Sequence, residues 1–305
     1  MIALIAGTGG LPREILARLP HSAVIVCELK GHPADVPAGF ERVPFRFEGL
    51  GRLLSELRHR GVEQVCMAGA MRRPRISLWS VGATTWPLVP RILQAMRKGD
   101  DGLLREAVAI LEERGITVIG AAELAPDLLP PAGVLTRAAP KDQHRADAAL
   151  GEVTVAEMGR TDTGQACIIA NGEVIWREGR RGTDAMLSDI GPRREKPPQA
   201  EGIAWPIDVV GEVVTSTADW LSGEDGFLVG SLPAAGGVLF KAPKPEQERR
   251  VDLPVIGPTT VMGAARAGLA GIVIEWGGVM VLDMPSVITR CDDAGLFLWV
   301  RPHGG

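Results

Sequence analysis

The first half of the chain alternates short apolar runs with stretches whose apolar residues recur at helical spacing. Residues 2–6 are apolar and end at Gly7, residues 11–19 carry leucine or isoleucine every three or four positions, and a second apolar run covers residues 23–27. Short apolar runs indicate strands, and the wider spacing indicates amphipathic helices. The alternation continues through residues 50–57, 62–68, 103–114 and 116–120. It predicts a parallel sheet, so we expect a Rossmann-like N-terminal domain.

The pattern changes at the proline-rich residues 126–140, where we place the connection between two domains, residues 1–132 and 133–305. Beyond it, Asn171-Gly172 separates two β-like runs, the strongest short-range signal of a hairpin. Residues 190–206 have no apolar period and predict a surface loop. The rest predicts helices at residues 261–267 and 286–292, with strands at residues 271–275, 279–282 and 296–300. The predicted fold class is α/β, with a C-terminal domain that is α+β or contains a mixed sheet.

Composition narrows the classes of partner and compartment. The formal net charge is −4, and the aromatic residues are scattered, so we expect no nucleic acid partner. Four separated cysteines without a CxxC pair favour small buried side chains in a reduced cytoplasmic protein over a zinc site. The N-terminus lacks the basic region of a signal peptide. No apolar run approaches the ~20 residues of a membrane helix. We therefore expect a protein that contacts the inner membrane only peripherally, if its substrate is a lipid.

The first candidate site is the loop Gly7-Thr8-Gly9-Gly10-Leu11-Pro12, between a predicted strand and a predicted helix. Glycines allow close approach of the backbone to a ligand, and free N–H groups at a helix start bind phosphate. The alternative is a tight turn without a ligand. Glu28 stands where a dinucleotide-binding domain places its ribose-binding acid, but Arg13 and Glu14 occupy the place of a third glycine.

The second candidate is Gly182-Thr183-Asp184, which follows Arg177, Arg180 and Arg181. Guanidinium groups take phosphate oxygens in pairs, and a carboxylate suits a hard divalent cation. The alternative is a solvated basic loop in which Thr183 caps a helix that starts near Ala185.

The third candidate is the proline-stiffened stretch from Lys241 to Gly257, in which Asp252 follows two arginines. Asp252 is a candidate metal ligand or base, and Arg249, Arg250 and Lys244 are expected to keep its carboxylate ionised. The alternative is a charged surface segment whose acid pairs with Arg250. Lesser candidates are Asp147, Asp162 and His144, the last of which is expected to be structural.

These segments, taken in order, resemble the LpxI family of UDP-2,3-diacylglucosamine diphosphatases. The resemblance rests on LIAGTGGLP at residues 4–12, MAGAMRRP at 67–74, KGDDGLLR at 98–105, MGRTDTGQA at 158–166, GTDAML at 182–187 and GVLFKAPKPEQERRVDLPVIG at 237–257.

The resemblance implies hydrolysis of a diphosphate to UMP and 2,3-diacylglucosamine 1-phosphate (lipid X), with Mg²⁺ or Mn²⁺, by a homodimer. It implies that Asp252 is catalytic and that Asp252 and Asp184 bind the metal. The residues implied to contact the substrate are Gly9, Gly10, Leu11, Gln165, Thr183, Lys241 and Arg250. Two other classes remain open at this point: a nucleotide-sugar or NAD-dependent enzyme, and a non-catalytic sensor of nucleotide or lipid.

Overall fold

A computed structural model of the protein describes residues 1–71, 78–179, 181–190, 234–245 and 247–304. The loop predicted at residues 190–206 lies outside the described residues, except for the first. The elements of the first half are β1 (Ile2–Ala6), α1 (Leu11–Leu16), β2 (Val24–Leu29), β3 (Glu41–Phe45), α2 (Leu50–His59), β4 (Gln64–Ala68), α3 (Val89–Met96), α4 (Asp100–Glu112), β5 (Thr117–Val118) and α5 (Ala121–Leu124).

The first sheet is parallel throughout and has the strand order β3-β2-β1-β4-β5. This is the order that a Rossmann-like half predicts. The central strands are buried on both faces, which explains why residues 2–6 are almost uniformly apolar. Strand β3 was not predicted because it lies at the sheet edge and only Phe45 of its five residues is buried. An edge strand of this kind leaves no apolar run in the sequence.

The second half supplies the remaining elements. They are β6 (Gly133–Val134), α6 (Asp142–Arg160), β7 (Ala166–Ala170), β8 (Glu173–Arg177), α7 (Thr183–Ile190), β9 (Val238–Lys241), β10 (Val255–Ile256), α8 (Pro258–Arg266), β11 (Gly271–Glu275), β12 (Met280–Val281), α9 (Met284–Asp293) and β13 (Phe297–Arg301). The larger sheet has the order β6-β13-β11-β9-β7-β8, and β10 pairs with β12 separately. Strands β9, β11 and β13 are parallel, whereas β7 runs against both neighbours, so the predicted mixed sheet is confirmed.

The predicted hairpin joins β7 to β8. Asn171 and Gly172 both have positive φ, at 54° and 78°, as a tight two-residue hairpin turn requires. The backbone N–H of Gly172 donates to Asp147 Oδ1 at 2.7 Å. Asp147, a lesser candidate in the sequence, therefore fixes a turn.

Helix α6 was not predicted, because its buried face is built from small residues rather than a leucine stripe. A Cβ on Gly151 would come within 2.6 Å of Phe240, so a glycine is needed where α6 crosses β9. His144 near the start of α6 accepts a hydrogen bond from the backbone N–H of Lys141 and stacks near Phe297. Its predicted structural role is confirmed.

The proline-rich connection is packed against the fold. Leu128 in it is buried, and β6 adds an antiparallel edge to β13. The N–H of Leu135 also donates to Leu298 O at 2.9 Å. The boundary between residues 132 and 133 stays a prediction.

The two halves share an apolar layer. Met280 of β12 is fully buried in the same cluster as Leu4 and Ala6 of β1, and Leu253 and Val255 pack against that cluster. The chain around Asp252 is thereby fixed to the first sheet. Among the described residues no helix combines the length and the apolar content that crossing a bilayer requires.

The four cysteines are buried and unpaired, as predicted for small core side chains. Burial raises the pKa of each thiol to about 12, so these thiols are protonated at neutral pH.

Candidate functional site

Two predicted site residues, Lys241 and Gln165, lie at one edge of the larger sheet beside Glu178. Lys241 ends β9, Gln165 directly precedes β7, and Glu178 directly follows β8. Because β7 runs against β8 and β9, its start shares an edge with their ends. In α/β folds, ligands bind at the carboxyl ends of parallel strands, and this is the end at which Lys241 lies.

Lys241 has a buried ammonium group. Its side chain is 5% exposed, and its Nζ donates to Thr183 Oγ1 at 2.8 Å and to Val255 O at 2.9 Å. Loss of hydration lowers the pKa of Lys241, whereas the charges of Glu178, Asp184 and Asp252 oppose that change. The ammonium is therefore surrounded by acidic groups that favour its charged form.

Thr183 and Glu178 extend this chain of hydrogen bonds. Thr183 Oγ1 donates to Glu178 Oε1 at 2.7 Å, and Glu178 Oε2 accepts from the N–H of Gln165 at 2.7 Å. Gly164 allows the approach, because a Cβ there would lie 2.6 Å from Glu178 O. The hydroxyl of Thr183 thus serves this chain.

Gln247 joins the chain to Asp252. Its Nε2 donates to Asp252 Oδ2 and, at 3.2 Å, to Gln165 Oε1. Its Oε1 accepts from the N–H of Lys244 at 2.8 Å. We use the term polar network for the connected residues Gln165, Glu178, Thr183, Lys241, Gln247 and Asp252. Four of these six residues are among those implied from the sequence.

The electrostatics of Asp252 differ from the prediction. Loss of hydration raises the pKa of Asp252, while the hydrogen bond from Gln247 and the charge of Lys244 act in the opposite direction. Of the three groups predicted to keep the carboxylate ionised, Lys244 does lower the pKa of Asp252, whereas Arg249 and Arg250 are engaged elsewhere. Arg250 pairs with Glu248 and Glu112, and Arg249 pairs with Glu275. Glu112 and Glu275 are distant in sequence, and Glu248 lies in the same turn as Arg250. The local sequence therefore did not show which acid each arginine contacts.

Arg250 therefore lies outside the polar network. Its NH1 donates to Glu112 Oε1 of α4 at 2.6 Å, and its Nε donates to Glu248 Oε1 at 2.9 Å. These bonds also exclude the alternative in which Asp252 pairs with Arg250 on the surface. Substrate contact by Arg250 stays a prediction.

Asp162 links the site to the first half. One carboxylate oxygen pairs with Lys244 Nζ, and the other accepts from the N–H of Asp100, the first residue of α4, at 3.1 Å. Asp162 has a φ of 51°, in the left-handed region. A second contact lies nearby, where the N–H of Glu248 donates to Asp101 Oδ1 at 3.3 Å. The loop that carries Asp252 is thus held against the start of α4.

Two of the three arginines around Gly182 pair with acids other than those beside Thr183. Arg177 pairs with Glu157, and Arg181 pairs with Asp189. Arg180 lies outside the described residues.

The glycine loop faces the second half at a different place. Gly7 packs on the backbone of Gly69 and Ala70, where a Cβ would approach to 2.6 Å. Gly9 has a φ of 97° and is exposed. A Cβ on Gly10 would lie 3.2 Å from Leu282 Cδ1. Leu11 is buried, so its side chain belongs to the core and only its backbone is left for a ligand. The described contacts place the loop beside the polar network's domain, not within the network.

Two family models match the chain in order, the LpxI N-terminal domain at residues 1–128 and the LpxI C-terminal domain at residues 131–299. The chain belongs to the LpxI family. A relative from Caulobacter vibrioides (strain ATCC 19089 / CIP 103742 / CB 15) is named UDP-2,3-diacylglucosamine pyrophosphatase LpxI. It is 34% identical over 300 residues, which cover 97% of this chain and 96% of the relative.

In this member of the family, the acid that would bind the ribose of a dinucleotide is already engaged in an ion pair. Glu28 pairs with Arg42 at 3.2 Å, and its side chain is mostly buried. A ribose hydroxyl at this position would compete with an ion pair.

The acids of the site do not form a complete metal cage. Asp184 is exposed and accepts from Thr260 Oγ1 at 3.4 Å, and Asp252 has one oxygen held by Gln247. Within the described ranges, no three His, Cys, Asp or Glu side chains are grouped to hold an ion. Mg²⁺ is commonly held in proteins by only one or two carboxylates, with water and substrate phosphates as its other ligands.

Two residues of the polar network were missed from the sequence, Glu178 and Gln247, and the ion pair of Lys244 with Asp162 was not foreseen. Glu178 stands at the end of a predicted strand, which was a usable signal. Gln247 lies in a charged stretch where attention falls on ionisable groups, and an amide gives no sign of its role until its partners are known.

Proposed function

We propose that this protein hydrolyses the diphosphate of UDP-2,3-diacylglucosamine to UMP and lipid X, a step of lipid A synthesis. The observation that carries the proposal is the position of Asp252. It is a partly buried carboxylate with a raised pKa, held through one oxygen and connected to a buried lysine at a sheet edge suited to ligands. The printed activity of the Caulobacter relative supports the choice of substrate.

Asp252 acts as the general base in this proposal. Gln247 holds Oδ2, which leaves Oδ1 to accept a proton from water. The water oxygen forms a bond to phosphorus, the bond from that phosphorus to the bridging oxygen breaks, and the bridging oxygen leaves with the other phosphate. A raised pKa makes an aspartate a better base near neutral pH, because its basicity is closer to the working pH.

The cationic and hydroxyl groups of the site hold the diphosphate. Lys241 supplies positive charge and Gln165 presents a polar group at the same edge. Thr183 would reach the diphosphate only by giving up its bond to Lys241 or to Glu178. The backbone of the glycine loop at Gly9, Gly10 and Leu11 takes a second phosphate or the sugar phosphate, and Arg250 is a further candidate contact. Fixed charges of this kind stabilise the charge that develops as the anhydride bond breaks.

A divalent cation, Mg²⁺ or Mn²⁺, is part of the proposal, with Asp184 as a protein ligand, and with Asp252 as the second ligand in the alternative in which its carboxylate binds the ion instead of taking the proton. When bound, such an ion neutralises phosphate charge and polarises the phosphorus–oxygen bond. The task of this chain is then to orient Asp252 through Gln247 and to keep the second carboxylate, Asp184, near the start of α8 by its bond to Thr260.

Peripheral contact of this cytoplasmic protein with the inner membrane is also proposed. Trp86 and Leu93 are 50% and 42% exposed. They lie seven residues apart, a spacing that places both on one face of the helical stretch that includes α3. Trp79, which precedes them in the sequence, is fully exposed. The sequence has no acidic residue between Glu63 and Asp100. Tryptophan favours the headgroup region, and basic segments favour anionic lipid.

Sedimentation with anionic vesicles tests the membrane contact. The double variant Trp86→Ser with Leu93→Ser should remain in the supernatant more than the wild type does. Val153→Ser on α6, which also removes an exposed apolar side chain, is the control and should sediment like the wild type. Equal sedimentation of all three would remove this surface from the proposal.

We also propose a homodimer on the basis of the family, which sedimentation velocity tests directly.

Product analysis in ¹⁸O-labelled water tests the reaction itself. The proposal requires UMP and lipid X in equal amounts, with one ¹⁸O atom in one of the two products, which identifies the phosphorus that water attacks. Stoichiometric binding of the diacyl substrate without turnover, with Mg²⁺ and with Mn²⁺, would favour a sensor. Turnover of a nicotinamide cofactor would favour the dinucleotide-dependent alternative.

A further inference from the structure

Gln247 lies between two of the polar groups that the proposed reaction needs. It is 9% exposed, although it belongs to a charged stretch of chain. Both polar atoms of its side chain are engaged, through contacts with the backbone of Lys244, with Asp252 and with Gln165. A buried amide with this many partners is costly to replace, because each lost bond leaves a buried group unsatisfied.

We propose that Gln247 is a positioning residue that sets the orientation of both the Asp252 carboxylate and the Gln165 amide. The inference rests on the proposed hydrolysis, in which Asp252 takes a proton and Gln165 contacts the diphosphate. Neither the family models nor the name of the relative assigns a role to Gln247.

The backbone determines which way the Gln247 amide points. The N–H of Lys244 is only a donor, so the amide end that faces it at 2.8 Å must be the carbonyl Oε1. The NH₂ end therefore faces Asp252 and Gln165. The orientation follows from a group that has no alternative role in hydrogen bonding.

The orientation of the Gln165 side-chain amide follows in the same way. Because Gln247 presents a donor, Gln165 must present its carbonyl Oε1 to it, at 3.2 Å. The NH₂ group of Gln165 is then the end that remains for a ligand. Gln165 is only partly buried and stands directly before β7 at the ligand-binding edge. Its outward donor suits a phosphate oxygen, whereas a reversed amide would present a carbonyl oxygen and repel the phosphate.

Asp252 is fixed by the other hydrogen of the Gln247 amide. The bond engages Oδ2 and leaves Oδ1 as the oxygen that can accept a proton. Without the bond, the carboxylate can rotate about its last side-chain torsion, which is broad for aspartate. A base that rotates loses the alignment that gives general-base catalysis its effect.

A double-mutant cycle on substrate hydrolysis tests this inference. Gln247→Leu and Gln165→Leu should each raise KM about tenfold, the scale of one lost bond to a charged group. Gln247→Leu should also lower kcat, because it releases Asp252 as well. The double variant should have a KM close to that of either single variant, since both changes remove the same donor. Gln94→Leu on the exposed face of α3 is the matched control and should match the wild type.

A second measurement does not need turnover. In ¹⁵N NMR of the free protein, the side-chain NH₂ signals of Gln165, assigned with Gln165→Leu, should shift and broaden in Gln247→Leu and in Gln247→Glu, and stay unchanged in Gln94→Leu. Gln247→Glu keeps the shape and serves if the leucine variant does not fold. Unchanged Gln165 signals, or strictly additive effects on KM, would overturn the inference about Gln247. A wild type that fails to hydrolyse the substrate while the NMR result holds would instead overturn the proposed function alone.

Discussion

The ammonium of Lys241 donates a 2.8 Å hydrogen bond to Thr183 Oγ1, in a position where both side chains are buried. Lys241 ends β9 and Thr183 begins α7, so the bond joins two elements separated by 58 positions in the sequence. Thr183 passes the contact on to Glu178. The hydroxyl is therefore both acceptor and donor within one buried chain.

Thr183→Val should lower the free energy of unfolding by about 1–3 kcal/mol, the cost of leaving buried polar partners unsatisfied. Valine keeps the shape of threonine but can serve neither Lys241 nor Glu178. Thr183→Ser keeps the hydroxyl and should lose much less stability. Urea unfolding of both variants measures the difference. Equal stability of the valine and serine variants would mean that the hydroxyl is not part of the fold's polar network.

Asp162→Ala should destabilise the protein by about 0.5–2 kcal/mol, the usual cost of a lost helix N-terminal cap. The change removes the acceptor for Asp100 at the start of α4 and the partner of Lys244. Asp162→Asn should lose less, because asparagine tolerates a φ of 51° and keeps one oxygen acceptor. Thermal unfolding at low and high salt gives the comparison. An alanine variant that unfolds at the wild-type temperature contradicts this role.

The glycine loop separates into a structural and a ligand-facing part. Gly7→Ala should destabilise the protein, because the new Cβ would come within 2.6 Å of the backbone oxygen of Ala70. Gly10→Ala should fold, since Gly10 has an ordinary φ of −77° and the nearest atom is the flexible end of Leu282. It should raise KM if the loop backbone holds a phosphate, as should the larger Gly10→Val. Circular dichroism and steady-state kinetics distinguish the two effects. Unchanged KM in a folded Gly10→Val variant would remove the loop from the substrate site.

Because the pKa of Asp252 is raised, ionisation of its carboxylate should favour activity but reduce stability. Activity that needs the ionised carboxylate should fall as the pH drops through a pKa above the ordinary value of about 3.9. The folded protein disfavours the charged form of a group whose folded pKa exceeds its unfolded pKa. Ionisation of Asp252 therefore begins to cost stability as the pH rises past the unfolded pKa, and the full cost is present above the folded pKa. Asp252→Asn should therefore unfold at neutral pH with an equal or higher free energy than the wild type. A clear loss of stability would show that the charge stabilises the fold.

The architecture could be predicted from the sequence where burial produces a pattern. Strands such as β1 are buried on both faces and read as apolar runs, and the Asn171-Gly172 hairpin has its own turn chemistry. Strand β3 and helix α6 lack such patterns, because one is an exposed edge and the other packs through small residues.

The site could be predicted only in part for a similar reason. Motifs indicated Asp252, Thr183, Lys241 and Gln165, but the ion pairs of Arg250 depend on Glu112, which is far away in sequence. The direction of the Asp252 pKa shift depends on burial that only the folded chain defines. Residue type in a short window therefore indicates which groups are available, whereas their electrostatics require the tertiary structure.

For Asp252→Ala, we expect UMP release from UDP-2,3-diacylglucosamine to fall by at least ~10²-fold, the scale of a lost general base, while the substrate still binds. Asp252→Asn should be almost as inactive, because an amide keeps the shape but cannot take the proton. If Asp252→Ala releases UMP at close to the wild-type rate, the assignment of Asp252 is contradicted and Asp184 becomes the next candidate.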